Sequence, residues 1–211
     1  MKGLVCKKLG MTQLFDKTGK VLAVTVVEVE PNVIVQIKTD KTDKYKAIKV
    51  AVFDKKKNRT SGPEEGIFKK VNVSPRKVLK EFRVETTEGY TVGQELGCDI
   101  FTENEFVDVT AMTKGHGTSG AIKRWGSARG RMSHGAGPVH RAPGSLGAHT
   151  FPARVFKNKH MAGRYGNEKV TIKNLQIVKV DSVKNCLFIK GSVAGHKGSI
   201  VIVKGHGEAS K

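Results

Sequence analysis

The sequence predicts a mainly β protein with one or two short helices, interrupted by a single long and irregular segment. Three observations carry that expectation. Runs of β-branched residues separated by turn chemistry occupy residues 1–110, and similar runs resume near residue 170. Between them lies a glycine-rich, basic stretch with neither strand nor helix periodicity.

Leu4-Val5-Cys6 opens the first strand. Val21 to Glu30 forms the second, with valines in nearly unbroken succession, and Val33 to Lys38 and Tyr45 to Phe53 give the next two. The connections carry the residues that turns require: Asp16-Lys17-Thr18-Gly19 after the first strand, Pro31-Asn32 after the second, and the polar Thr39 to Lys44 before the fourth. A short helix is expected where Ser74 caps and Pro75 takes the first helical position, with Val78, Leu79 and Phe82 spaced for one buried face. Val170 to Val180, Cys186 to Lys190 and Ser199 to Lys204 read as closing strands, with Asp181 to Asn185 as a hairpin loop.

With 211 residues and 38% hydrophobic content, the chain is large enough for a real core. Its formal charge is +19, from 38 Lys and Arg against 19 Asp and Glu, so a partner rich in negative charge is implied. No apolar run approaches the ~18 residues of a membrane span, and Met1 to Gly10 is too polar for the core of a signal peptide, so the expectation is a cytosolic chain. Cys6, Cys98 and Cys186 are odd in number, far apart and set in apolar surroundings. They read as small buried hydrophobes rather than disulfide or zinc partners.

The charge is concentrated. Residues 111–170 hold 11 Lys or Arg and one acid, Glu168, a net of +10, while the other 151 residues hold 27 basic and 18 acidic groups, a net of +9. The same 60 residues contain 11 of the 24 glycines and five of the seven histidines, yet only 12 apolar side chains larger than alanine. So little apolar surface cannot offset the entropy of ordering the segment, and the expectation is an arm that becomes ordered when a polyanion neutralises it. A membrane-binding stretch would show bulky apolar residues at helical period, and none is visible. RNA fits better: glycines let the backbone approach phosphates, arginines fork onto phosphate oxygens, and Trp125, Phe151, Phe156 and Tyr165 offer stacking faces.

Other motifs in this segment weigh less. Gly115-His116-Gly117-Thr118-Ser119-Gly120 matches a dinucleotide fingerprint, but the acid that should follow by ~20 residues is missing, so a flexible hinge is expected. His116, His134, His140, His149 and His160 lack cysteine or carboxylate companions, so no metal is expected. Ser133 and Ser145 have histidines nearby but no orienting acid and no nucleophile elbow, which argues against hydrolysis. Lys123-Arg124-Trp125 reads either as a local anchor of the arm or as a stacking and clamping contact to RNA, and both can hold. The basic runs Lys41 to Lys49 and Lys55 to Arg59 read as solvated faces, with RNA contact as the alternative.

The chain also resembles, over essentially its full length, the L-three family of bacterial large-subunit ribosomal proteins. The resemblance rests on Gly10-Met11-Thr12-Gln13, on Lys114-Gly115-His116-Gly117 leading to Lys123-Arg124-Trp125, and on Ser133-His134-Gly135. It continues through His140-Arg141, Pro143-Gly144-Ser145, Met161-Ala162-Gly163, Gly166-Asn167-Glu168 and Val170-Thr171. It implies a translation-protein-type β-barrel built from 1–110 and 171–211, with a basic extension, 111–170, inserted into ribosomal RNA. It further implies a non-enzymatic, cofactor-free role: binding 23S rRNA, assisting early subunit assembly, and lying beside large-subunit proteins fourteen and nineteen, without a membrane or small-molecule partner.

The rRNA-binding residues so implied are Lys114, His116, Lys123, Arg124, Trp125, Arg129, Arg131, His134, His140, Arg141, Arg154, Lys157, Lys159, Arg164 and Lys169. The tip pointing toward the peptidyl transferase centre would be Gly144, Ser145, Leu146, Gly147, Ala148, His149, Thr150, Phe151 and Pro152. Many bacterial relatives in that family carry glutamines at the tip, one of them a methylation target. This chain has none there, and it has Ala153 where Pro-Gly is common.

Overall fold

The computed structural model describes residues 2–206 and divides into two units, Met1–Met112 with Lys169–Lys211, and Thr113–Glu168. Met1 and residues 207–211, which fall in the span expected for the barrel, lie outside the described residues.

In the first unit, the long alternating runs close on one another. The strands are β1 (Gly3–Phe15), β2 (Val21–Glu28), β3 (Asn32–Lys38), β4 (Ala47–Asp54), β5 (Arg76–Arg83), β6 (Glu95–Leu96) and β7 (Phe106–Met112) before the second unit, where β8 (Thr118–Ser119) and β9 (Gly163–Arg164) lie. After it come β10 (Lys169–Asp181), β11 (Cys186–Lys190) and β12 (Ile200–Gly205). Among the described residues three α-helices are interspersed, α1 (Asp40–Asp43), α2 (Gly62–Lys69) and, in the second unit, α3 (Ala121–Trp125).

Six strands form a closed antiparallel barrel in the order β1-β12-β7-β10-β11-β2. Closure removes the unpaired edges that an open sheet would expose. Residues from both ends of the chain meet directly, as in the pairings Val5↔Ile202 and Val203↔Val109. A bulge between Lys8 and Gly10 bends β1, and two more bend β10, which is how two 13-residue strands follow the curve of a small barrel. The expected hairpin loop is present: β10 ends at Asp181, whose Oδ1 accepts the Lys184 N–H at 3.0 Å, and Asn185 turns the chain with φ 50°.

The remaining strands make a second sheet in the order β5-β4-β3-β6. One of its faces joins the barrel core, placing Ile34, Ile48, Val50, Val52 and Phe82 with Leu4, Val107 and Val203. Gly3 marks how close the approach is: a Cβ there would clash with the Phe82 ring. The opposite face carries Val35 and Ala51, which α2 covers with Phe68.

This two-sided burial corrects the expected helix at residues 74–82. Residues 76–83 are strand β5, paired with β4 from Asp54↔Arg76 to Ala47↔Arg83. Phe82 and Val78 enter the barrel-side core, whereas Leu79 packs with the Phe68 cluster, so apolar side chains on both faces of a strand imitate helical spacing. The helix stands earlier, at α2, where Pro63 occupies the first turn and the Glu64 carboxylate accepts the Ser61 N–H at 3.3 Å.

Asn32, expected in a turn, is fully buried at the start of β3. Its Oδ1 accepts the Val5 N–H at 2.9 Å, and its Nδ2 donates to the carbonyls of Val5 (3.1 Å) and Glu30 (2.8 Å). Lys8 is likewise buried, its Nζ donating to the carbonyls of Val193 at 2.6 Å and Gly195 at 3.1 Å. All three cysteines are buried free thiols, as expected. Burial, with the neighbouring Cys98, pushes the Cys6 thiol far above its ordinary pKa, and burial followed by the Glu28 and Asp181 carboxylates raises that of Cys186.

Candidate nucleic-acid interface

The second unit begins as a ribbon whose two strands are the ends of the segment. The Thr113 N–H donates to the Glu168 carbonyl at 2.9 Å, and the Glu168 N–H returns to Thr113 Oγ1 at 3.1 Å. His116 N–H donates to the Tyr165 carbonyl, Tyr165 N–H to the Gly117 carbonyl, and β8 pairs with β9 through Thr118↔Arg164 and Ser119↔Gly163. The rings of His116 and Tyr165 stack with centroids 4.4 Å apart. Gly166 is required here: it adopts φ +73°, and a Cβ would clash with the Lys114 carbonyl. The Gly115–Gly120 run is therefore not the free hinge expected, because its backbone is tied across this ribbon.

Beyond it, α3 ends at Gly126, which takes the left-handed conformation with φ 70°. Trp125 Nε1–H donates to the Met161 carbonyl at 2.9 Å, and Arg124 reaches the same carbonyl at 3.3 Å. The indole stacks on His160 with centroids 4.3 Å apart and planes 4° apart, and the Arg124 guanidinium lies 4.9 Å from the indole. The anchoring role weighed for Lys123-Arg124-Trp125 is thus visible, in a side chain still 45% exposed. Sequence reading passed over His160 and Met161 as its partners, since a hydrogen bond to a backbone carbonyl leaves no mark in residue type.

The rest of the unit is held mainly by local bonds. Gly130 N–H donates to the His140 carbonyl at 2.8 Å, and His140 Nδ1 lies 2.7 Å from the Arg131 carbonyl. A cleft of about 360 Å³ lies among Arg129, Met132, Pro138, His140 and Arg141. Farther on, Ser145 Oγ donates to the Gly147 carbonyl at 3.1 Å. Leu146, Gly147 and Ala148 line one side of another cleft and Ala153, Arg154 and Val155 the other, so the chain reverses through His149–Pro152, where the Phe151-Pro152 bond is cis. The Arg154 guanidinium lies 5.8 Å from the Phe156 ring. Phe151 is 87% exposed, and Ala121 is the one buried residue among 113–168.

Lys114, Lys123, Arg129, Arg131, Arg141, Arg154, Lys157, Lys159 and Arg164 are all exposed, with Arg124 half-buried. None of them forms an ion pair among the described residues; every pair found there lies in the first unit. His134 is exposed in the left-handed region with φ 61°. Lys169 begins β10 in the first unit, opposite Met112. Among the described residues no cluster of His, Cys, Asp and Glu could hold a metal, and no helix is long and apolar enough to cross a membrane.

The two basic runs outside this segment differ. In the first, Lys41, Lys44 and Lys46 are exposed, Lys46 pairs with Asp40 at 3.6 Å, and the half-buried Lys49 pairs with Glu81 at 4.0 Å beside the buried Ala47 and Ile48. In the second, Lys55 alone is paired, 2.6 Å from Glu64.

A closed antiparallel barrel whose chain also carries an internal segment rich in arginine and lysine, with a single carboxylate, defines a class of protein: a folded domain joined to a basic arm. The family model for ribosomal protein L3 matches residues 77–186. The chain is 49% identical over 204 residues to the large ribosomal subunit protein uL3 of Alkaliphilus metalliredigens, covering 97% of each chain. It is 48% identical to that of Fervidobacterium nodosum, covering 97% of this chain and 98% of the relative. With that of Bacillus thuringiensis the identity is 46% over 210 residues, covering 100% and 99%. The chain belongs to the ribosomal protein L3 family, whose members are ribosomal proteins and not enzymes.

Proposed function

We propose that this protein is a structural constituent of the large ribosomal subunit in the cytoplasm, and that it binds 23S rRNA through the extension while the barrel supplies the folded anchor. The observation that carries this is the charge arrangement. Ten cations between Thr113 and Glu168 share one acid, Glu168, and none of them forms an ion pair within the described residues. Such a surface is favourable only when external phosphates neutralise it, and each phosphate contact releases counterions.

In this reading Lys114, Lys123, Arg129, Arg131, Arg141, Lys157 and Lys159 clamp phosphates, and His134 and His140 meet ribose or base edges. Trp125 and Arg124 set the shape of the arm. Residues Gly144 to Pro152 form the tip, directed toward the peptidyl transferase centre, and the RNA performs the chemistry there. The barrel packs on rRNA early in subunit assembly, beside large-subunit proteins fourteen and nineteen. The missing tip glutamine leaves the methylation known in relatives without an acceptor at Gly144 to Pro152.

The test is direct. Sedimented large subunits should contain this chain in stoichiometric amount, and cross-linking within them should join peptides from 113–168 to 23S rRNA. A chain found only in the soluble fraction, or one whose extension yields no RNA adduct, would refute the proposal.

A further inference from the structure

A second concentration of basic residues lies in the first unit. Residues 54–77 contain eight Lys or Arg and three acids, a net of +5, whereas the whole first unit carries +10 over 155 residues. Half of that unit's excess charge thus sits on 24 residues. The three acids are already engaged, Asp54 with Arg76 at 3.1 Å, Glu64 with Lys55 at 2.6 Å and Glu65 with Lys69 at 3.1 Å. Lys56, Lys57, Arg59 and Lys70 are exposed and form no ion pair among the described residues.

Lys57 lines a groove of about 630 Å³, and Lys56, Arg59 and Lys70 adjoin its lining residues Lys57, Asn58, Thr60 and Lys69 in the chain; the Glu65 carboxylate that also lines it is paired with Lys69 at 3.1 Å. One wall of the groove holds Lys57, Asn58 and Thr60, in a turn closed by the Thr60 N–H donating to the Lys57 carbonyl at 3.0 Å. The other is the C-terminal end of α2 with the turn after it, where Asn72 adopts φ 56°. The helix-end carbonyl of Phe68 accepts the Val71 and Val73 N–H groups and that of Lys69 the Asn72 N–H, so the negative end of the helix is largely satisfied. Asn58, Thr60, Asn72 and Ser74 offer side-chain donors and acceptors, with Val73 and Pro75 as small apolar surfaces.

We infer that this groove is a second RNA-binding site, seating a nucleotide of the rRNA strand while Lys56, Lys57, Arg59 and Lys70 hold the flanking phosphates. The inference rests on the reading of the chain as an rRNA-binding ribosomal protein. Its volume lies in the range of small-ligand pockets, enough for a nucleotide unit. No large exposed apolar side chain lies between Asp54 and Lys77, so the surface lacks the anchors that a protein partner would use. Polar groups capable of reading base edges and ribose hydroxyls, with the unpaired Lys57 among them and Lys56, Arg59 and Lys70 next to lining residues in the chain, suit RNA instead.

The experiment compares full-length proteins binding a large-subunit rRNA transcript across a salt series. K56Q/K57Q/R59Q/K70Q should lower the slope of log Kd against log salt by about 3 and weaken binding at least tenfold, since each lost phosphate contact removes ~0.7–0.9 from the slope. K56R/K57R/R59K/K70R should keep the wild-type slope, and unchanged urea midpoints show that both variants fold. In purified large subunits, a peptide spanning 57–75 should carry a nucleotide adduct after ultraviolet cross-linking. An unchanged slope in the glutamine variant, or cross-links from that peptide to protein and none to RNA, overturns the site. If the wild type itself binds without salt dependence, the rRNA reading fails as a whole. If it binds with salt dependence that only substitutions in the extension alter, the groove alone is refuted.

Discussion

The barrel unit and the extension draw on the same residue types in opposite proportions. In the first, valines and isoleucines enter a core shared by two sheets, and many cations face a carboxylate. In the second, Ala121 is the one buried residue, and ten cations have a single acid among them. Both have defined hydrogen bonds, but those of the extension are mostly short-range or join its two ends. The contrast is between a unit built on apolar burial, which water drives, and a unit whose cations have almost no counter-charge of their own.

The largest expected effect would break this contrast outright. If six or more extension cations contact phosphate, raising salt from 50 to 200 mM should weaken rRNA binding by roughly 10³-fold or more, while the urea midpoint of the barrel moves little. A binding constant insensitive to salt would remove the distinction. Phe82→Ala tests the other side. It empties the ring position between the sheets and should cost about 3–5 kcal/mol in urea unfolding while leaving the salt slope of RNA binding unchanged.

Asn32→Leu should cost about 3 kcal/mol, because the Val5 N–H loses its buried acceptor and the Val5 carbonyl a donor; a loss under ~1 kcal/mol would mean that water replaces the amide. Trp125→Ala should change global stability by less than about 0.5 kcal/mol yet speed amide exchange around His160 to Gly163, since the indole bonds only within the extension. The smallest effect is electrostatic. The Lys55 ammonium, then the Ser61 N–H, hold the Glu64 carboxyl below its ordinary value of about 4.3. Its contribution is therefore present at neutral pH and is lost as pH falls through that lowered value, and Glu64→Gln should flatten stability against pH in that acid window.

Much of the first unit was legible because strand alternation and turn residues are local signals. Val21 to Glu28, Asn32 to Lys38 and Cys186 to Lys190 are strands nearly where the residues indicated. The misreading at residues 74–82 arose where burial on both faces erased that alternation, and the capping signal at Ser61 and Glu64 was overlooked in a polar stretch. The extension's charge was plain from composition, but its internal ties were not: Trp125 and Met161 stand 36 residues apart, and one partner is a backbone atom.

By itself the sequence determined most of the long strands, the buried thiols and the concentration of positive charge, because each follows from residue type and near-neighbour spacing. The tertiary structure decided barrel closure, the burial of Asn32 and Lys8, and the meeting of Lys57 with the end of α2 at one groove. These depend on which distant segments meet, and hydrophobic pattern is silent about partners that lie far along the chain.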